Sequence, residues 1–247
     1  MPKGGTVLVI PARYASTRFP GKPLALIAGR PMIQWVHEAA CRSKLADLVI
    51  VATDDIRIKD LVEGFGGRVA MTSPDHPSGT DRIAEAVKDL PHDLVINLQG
   101  DEPLLPPEVV DQLIEAMRAD PAAAMGTVAV PCDADSEDFR NPNIVKVVTD
   151  ASGRALYFSR SPIPYLRNKP AGVKGLTHWG IYAYRRQLLD DFVKWPQGRL
   201  EAIESLEQLR ALENGVGIRV LISDKRSIGV DVPDDVAKVE AQLRVKS

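Results

Sequence analysis

Little in this chain points to work outside the cell, in a membrane or on a nucleic acid. Only two cysteines, Cys41 and Cys132, occur in 247 residues. They are too few for a disulfide framework, and neither lies in a CxxC or His-rich cluster. Both read as small buried hydrophobes, Cys41 after Ala39 and Ala40 in a helical pattern and Cys132 after a strand-like VAV run. No apolar run approaches the roughly 20 residues that a membrane span needs. The short apolar run after Lys3 is interrupted by Pro11 and Arg13, which does not make a secretory signal. Neither sign of charge dominates: 31 Lys and Arg stand against 33 Asp and Glu, a formal net charge of −2. That balance excludes the basic stripe of a general nucleic-acid or membrane-surface binder, but leaves room for a small anionic ligand. The two common nucleotide motifs, GxxxxGK[ST] and GxGxxG, are missing as well. The expectation is a soluble, cytoplasmic chain with no nucleic-acid partner and no membrane contact.

What the chain does have is alternation. TVLVI (6–10), DLVIVAT (47–53), RVAMT (68–72) and DLVINL (93–98) read as strands, each followed by a helical pattern. Met32, Ile33, Val36, Ala39 and Ala40 mark one helical face, with Pro31 at the first helical position. Thr80 and Asp81 open another helix, and Pro107 opens one through Leu113 and Met117. Such βα units predict a mostly parallel central sheet with helices on both faces. From Met125 the texture changes to strand-like runs with few helices between them, which predicts a smaller, more antiparallel region. A long amphipathic helix is expected from Leu200, Ile203, Leu206, Leu209 and Leu212, with Gly215 stopping it. A last strand, IRVLIS, precedes a terminal helix near Pro233. The expected organisation is one Rossmann-like α/β domain over 1–247, with halves at roughly 1–124 and 125–247.

The loop Pro11-Ala-Arg-Tyr-Ala-Ser-Thr-Arg-Phe-Pro-Gly-Lys-Pro-Leu24 follows the first strand. Ligands of open α/β sheets bind outside the carboxyl ends of strands. Arg13, Arg18 and Lys22 supply three cations, Ser16 and Thr17 add hydroxyls, and Gly21 lets the backbone approach a ligand. A triphosphate carries about four negative charges and needs that mixture of backbone donors and cations. The other polar features are bland when taken singly. Asp101, after strand VINLQ, and Asp231, at a loop-to-helix junction, read as cap or turn residues. Ser78 to Arg82 reads as a capping motif, and His178 beside Trp179 as a packed residue. Glu207 and Gln208 read as part of a solvated helix face. Glu102, Asp234 and Asp235 read as structural, the last two favouring a helix N-terminus.

Together these segments resemble the 3-deoxy-manno-octulosonate (Kdo) cytidylyltransferases, the CMP-Kdo synthetases. The opening loop, HPSGTDR (76–82), NLQGDEP (97–103), NPNIVKVV (141–148), ALYFSRSPIP (155–164), HWGIYAYR (178–185), LEQLR (206–210) and GVDVPDD (229–235) agree in order. They cover essentially the whole chain, whereas the basic stretch from Pro164 to Leu176 does not match. The resemblance implies a nucleotidyltransferase fold and transfer of CMP from CTP to Kdo, with release of pyrophosphate, feeding lipopolysaccharide assembly. A sialic acid or 8-amino-Kdo acceptor is the alternative. It implies Mg²⁺ on Asp101 and Asp231, and a catalytic set of Arg13, Lys22, Asp101 and Asp231. Pro11, Ala12, Arg13, Ser16, Arg18, Lys22, Ser78, Arg82 and Gln99 would hold the nucleotide. Arg160, His178, Glu207 and Gln208 would hold the sugar acid, and the assembly would be a homodimer.

Overall fold

Val7, Leu8, Val9 and Ile10 are completely buried in the first strand. A continuous apolar run of this kind suits a parallel strand covered on both faces. In the computed structural model, which describes residues 4–15, 19–168 and 172–246, this strand is β1 (Thr6–Ala12). Two short strands, β2 (Leu26–Ile27) and β3 (Arg30–Pro31), then lead into α1 (Met32–Ala40). All five residues of the expected apolar face of α1 are buried, and Pro31 sits one position earlier than expected, as its N-cap. The units β4 (Leu48–Thr53), α2 (Ile56–Gly64), β5 (Arg68–Met71), α3 (Gly79–Ala86) and β6 (Leu94–Asn97) follow. β4 and β6 flank β1, and β5 lies beyond β4, every pairing parallel. The sequence of strands thus runs outward from β1 on one side and restarts with β6 on the other, a topological switch point between β1 and β6.

Helix α4 (Pro107–Ala119) carries the chain out of this first unit, which comprises residues up to Asp111 together with Arg226 onward. The C-terminal helix α9 (Asp234–Lys246) therefore packs with the first unit, beneath a cluster of Ile27, Met32, Val230 and Val239.

The second unit, Gln112–Lys225, is largely antiparallel, as its sequence texture predicts. Strand β7 (Met125–Asp133) is followed by a short helix α5 (Glu137–Arg140), β8 (Lys146–Thr149), β9 (Ala155–Ser159) and the long β10 (Lys174–Arg185). β10 pairs antiparallel with β7 and β8, and β8 with β9. Helices α6 (Arg186–Phe192), α7 (Arg199–Glu204) and α8 (Leu209–Glu213) precede β11 (Ile218–Ile222), which runs parallel to β7. Gly126 on β7 lets Met117 and Leu113 of α4 close on the strand, since a Cβ there would stand 2.6 Å from the Met117 sulfur.

Two expectations need correction. The long helix over Leu200–Leu212 is broken: Ser205 takes a left-handed conformation (φ 52°, ψ 50°) between α7 and α8, and Ile203 is 67 % exposed. Nor are the cysteines buried hydrophobes. Cys41 is exposed because it falls just past the last buried turn of α1, and Cys132 is only partly covered, where β7 runs out beyond Val130. No helix among the described residues is long and apolar enough to cross a membrane.

Candidate active site

The first unit gathers its candidate residues at the carboxyl ends of β1 and β6. A Cβ on Gly100 would stand 2.8 Å from the Pro11 carbonyl oxygen, so only glycine permits this approach of the two loops. Gly79, the first residue of α3, lies against the Pro11 ring, where its Cβ would sit at 3.8 Å. The QGDEP and SGTDR segments thus both meet the end of β1 at Pro11.

Gly21 has φ +70° and donates its N–H to Tyr14 O at 2.9 Å, which turns the loop into a single 3-10 turn at Lys22–Leu24. The Tyr14 ring carries the Arg57 guanidinium 3.3 Å from its centroid, and Arg57 is paired with the α2 N-cap Asp55. This turn aims Lys22 inward. Its Nζ donates to Asp101 Oδ2 at 2.6 Å and to Val230 O at 3.0 Å, while Val230 N donates to Asp101 O at 2.9 Å. The Asp101 loop and the loop carrying Asp231, distant in sequence, are therefore stitched together by one ammonium and one backbone hydrogen bond. Asp231 N and Val232 N in turn donate to Asp235 Oδ2, so Asp235 in the first turn of α9 holds the turn that precedes the helix. Arg13 donates to His76 O at 3.0 Å. Ser16 and Arg18 lie outside the described residues.

No group of three or more His, Cys, Asp or Glu gathers as a metal site among the described residues. Two carboxylates with hard oxygen donors are what Mg²⁺ takes from a protein when substrate phosphates complete its shell. Asp101 and Asp231 are donors of that kind, and Asp101 Oδ2 is held by the Lys22 ammonium.

The structure divides the expected base-binding residues. Ser78 caps α3: its Oγ accepts from Thr80 N at 3.1 Å and Asp81 N at 3.2 Å, and donates to Asp81 Oδ2 at 2.6 Å. The hydroxyl is fully engaged in this cap. Arg82 has no exposed surface; it donates to Thr72 Oγ1, and its Nη2 lies 3.3 Å from Asp54 Oδ2. Burial holds its pKa below the ordinary arginine value, opposed by Asp54 and assisted by Arg13. Arg82 thus stands behind the site. Gln99 lies two residues past the end of β6 and is partly exposed. Asn97, at the end of β6, is buried with no hydrogen-bond partner at its Oδ1 among the described residues. Sequence reading passed over it because it looks like one more residue of the strand.

In the second unit Arg160 is a hub. Its Nε donates to Glu204 O at 2.7 Å, Nη2 to Ser205 O at 3.2 Å and Nη1 to Pro142 O at 3.1 Å. These bonds take the carbonyls that would otherwise continue α7, and this ends the helix at Ser205. The Arg160 backbone is clamped on both sides. Its N–H meets Glu204 Oε2 at 2.9 Å, and its carbonyl receives the Lys146 ammonium at 2.5 Å. Lys146 is completely buried and also donates to Asn141 O and Ile144 O at 2.9 and 2.6 Å. Burial lowers its pKa, and the nearby Arg160 adds to the effect. Burial pushes the Glu204 carboxyl up, but its hydrogen bonds from Arg160 and Ser159 win and hold it below the ordinary value.

The break in the helix puts Glu207 and Gln208 into a turn instead of on a solvated helix face. Gln208 is 4 % exposed, and its Nε2 has no hydrogen-bond partner among the described residues. An orphaned buried amide costs about 1–3 kcal/mol, which a ligand acceptor would recover. Glu207 lies 4.0 Å from Arg210, whose guanidinium forms a two-pronged pair with Glu201. His178 packs at 5.1 Å from the Phe158 ring and 5.3 Å from Tyr182, and burial pushes its pKa down to about 3. Tyr182, which sequence reading missed, has its phenol raised well above the ordinary value, by burial first and then by Tyr184 and Glu207. It stays protonated beside His178 and Glu207. The only sequence signal for it is its spacing of four from His178 along one strand face.

A parallel sheet whose first strand leads into a cation-bearing loop, with Lys22 of that loop joined to Asp101 and Val230 at the switch point, is the layout of a nucleotidyltransferase. The cytidylyltransferase family model matches residues 7–222. The chain is 52 % identical to the 3-deoxy-manno-octulosonate cytidylyltransferase of Thermodesulfovibrio yellowstonii, over 98 % of this chain and 99 % of that one. It is 50 % identical to the enzyme of the same name from Syntrophotalea carbinolica, over 96 % and 97 %. The solved structure of a CMP:2-keto-3-deoxy-manno-octonic acid synthetase complexed with CTP superposes with a TM-score of 0.94 at 45 % identity, covering 98 % of this chain and all of that one. A cytidylyltransferase from Leptospira borgpetersenii, 15 % identical, shares the fold with a TM-score of 0.66, covering 98 % of this chain and 87 % of that one. The chain belongs to the 3-deoxy-manno-octulosonate cytidylyltransferase family.

Proposed function

We propose that the chain transfers CMP from CTP to the anomeric hydroxyl of Kdo, giving CMP-Kdo and pyrophosphate. The anomeric oxygen forms a bond to the α-phosphorus, the bond from that phosphorus to the bridging oxygen breaks, and the hydroxyl proton is lost to solvent. The observation that carries the reading is the Lys22–Asp101–Val230 junction, which sets a loop cation and two aspartate loops at the switch point. Both substrates are anions, so repulsion is the main barrier to their encounter. Arg13, Lys22 and, from the same loop, Ser16 and Arg18 neutralise and orient the triphosphate and receive the departing pyrophosphate. Mg²⁺ held by Asp101 and Asp231 would supply further neutralisation of the phosphate oxygens. The ends of β1 and β6 with the α3 turn hold the base: the backbone of Pro11, Ala12 and Ser78, and Gln99, with Arg82 supporting them from behind.

Arg160, His178, Glu207 and Gln208 hold the sugar acid, joined by Tyr182. Arg160 keeps N–H groups beyond its three carbonyl bonds, since a guanidinium has five donors, and these suit a carboxylate. Arg160 fixed by Lys146 and Glu204, and the buried donor of Gln208, support this assignment. The enzyme would work in the cytoplasm as a homodimer and supply activated Kdo for lipopolysaccharide assembly. The test is pyrophosphate release from CTP with Kdo, compared with 8-amino-Kdo and sialic acid. Turnover with either alternative and none with Kdo would overturn the acceptor.

A further inference from the structure

A neutral imidazole has one N–H and one lone pair, and the partner of one nitrogen decides what the other can do. A threonine hydroxyl has a single proton to give. Thr127 on β7 is completely buried, and its Oγ1 lies 2.8 Å from Ile181 O, 3.4 Å from Trp179 O and 2.9 Å from His178 Nε2. The two carbonyls belong to the stretch where β10 slips against β7: Trp179 is paired with Val128, and Tyr182 with Thr127. Bulges of this kind re-aim side chains beside functional sites. A carbonyl can only accept, so the hydroxyl proton goes to Ile181 O, the shorter contact. Toward His178 the hydroxyl oxygen can then only accept, and Nε2 must carry the imidazole proton. Nδ1 is left with the lone pair. Phe158 packs edge-on to the ring and Tyr182 lies against it, which holds the ring in this orientation.

We propose that Thr127 is a positioning residue that fixes His178 as the Nε2–H tautomer, so that Nδ1 accepts a hydrogen bond from a hydroxyl of the sugar acid. His178 therefore reads a hydroxyl and repels a carboxylate at that point of the acceptor. This rests on the assignment of His178 to the acceptor site made above. One buried hydroxyl thus both satisfies the Ile181 carbonyl of the bulge and sets which way the histidine presents its lone pair.

The full chain labelled with ¹⁵N gives the tautomer directly from its long-range ¹H–¹⁵N imidazole spectrum at pH 7. The expected result for His178 is a protonated Nε2 and an unprotonated Nδ1. A protonated Nδ1 overturns the inference. Thr127→Val keeps the shape and removes the hydroxyl; it should perturb that pattern and raise the KM for Kdo about tenfold, the loss of one oriented hydrogen bond. The KM for CTP should stay within about twofold. Thr127→Ser keeps the hydroxyl and should restore the wild-type pattern and KM. A Thr127→Val enzyme that melts lower but keeps the wild-type KM for Kdo shows a merely structural threonine and overturns the inference. If Thr127→Val does not fold, the wild-type spectrum and the serine variant still decide it. Absence of turnover with Kdo in the wild type would sink the acceptor assignment instead, and the spectrum reads the tautomer regardless.

Discussion

Replacing His178 by glutamine should make the protein markedly less sensitive to mild acid. In the unfolded chain an imidazole titrates near 6.5, whereas in the folded protein burial pushes His178 down to about 3. The folded pKa is depressed, so its contribution to stability is present above about pH 6.5 and is lost as pH falls toward 3. At pH 5 protonation favours the unfolded wild type by about 2.1 kcal/mol, and at pH 7 by about 0.2 kcal/mol. Glutamine does not titrate. Between pH 7 and pH 5, wild type should therefore lose about 2 kcal/mol more stability than His178→Gln. Urea denaturation of both proteins at the two pH values measures this, and the contributions of His37, His76 and His92 cancel in the difference. Equal losses for the two proteins would refute the burial argument and require an imidazole open to solvent.

Three further outcomes follow from the same contacts. Lys146→Met orphans the carbonyls of Ile144 and Arg160 and leaves Asn141 O with the Ile144 N–H alone. At about 1 kcal/mol or more for each orphaned carbonyl, denaturation should show a loss of about 2 kcal/mol or more; a loss below about 1 kcal/mol would show that the clamp is not needed. Asp101→Asn removes the charge that holds Lys22, and Mg²⁺-dependent pyrophosphate release should fall at least about 100-fold, by analogy with loss of one charge-stabilising group. Near-normal release would remove Asp101 from the site. Gly100→Ala pushes a methyl to 2.8 Å from the Pro11 carbonyl. The KM for CTP should rise with the KM for Kdo unchanged, and an unaltered KM for CTP would show that the two loops have room to spare.

The strands of the first unit were legible because β-branched runs such as Val7–Ile10 are buried on both faces and announce themselves without context. The opening loop reads as a candidate phosphate site because its cations and glycine follow directly on such a strand. Local pattern could not bring the Asp101 loop to the loop carrying Asp231: a lysine from a third segment and a backbone hydrogen bond join Asp101 to Val230. The same holds for the broken helix. Leu200, Ile203, Leu206, Leu209 and Leu212 keep helical spacing straight through Ser205, while the break is imposed by Arg160 far upstream taking the carbonyls of Glu204 and Ser205. Sequence spacing carries no trace of that competition. Ser78 illustrates the reverse case, since the capping role read from the residues alone is the one its hydroxyl performs. Thr127 gave no signal at all, because a threonine in a strand run is ordinary until the bulge in β10 sets two carbonyls and His178 around it.

The most direct test of the account is pyrophosphate release by the purified chain with Mg²⁺, with CTP, UTP, TTP and ATP each offered Kdo, sialic acid or a neutral sugar phosphate. Release should be rapid with CTP and Kdo, with CMP-Kdo as the second product, and far slower from every other pairing. Release that is indifferent to the base, or faster with a neutral sugar phosphate than with Kdo, would contradict the proposed function.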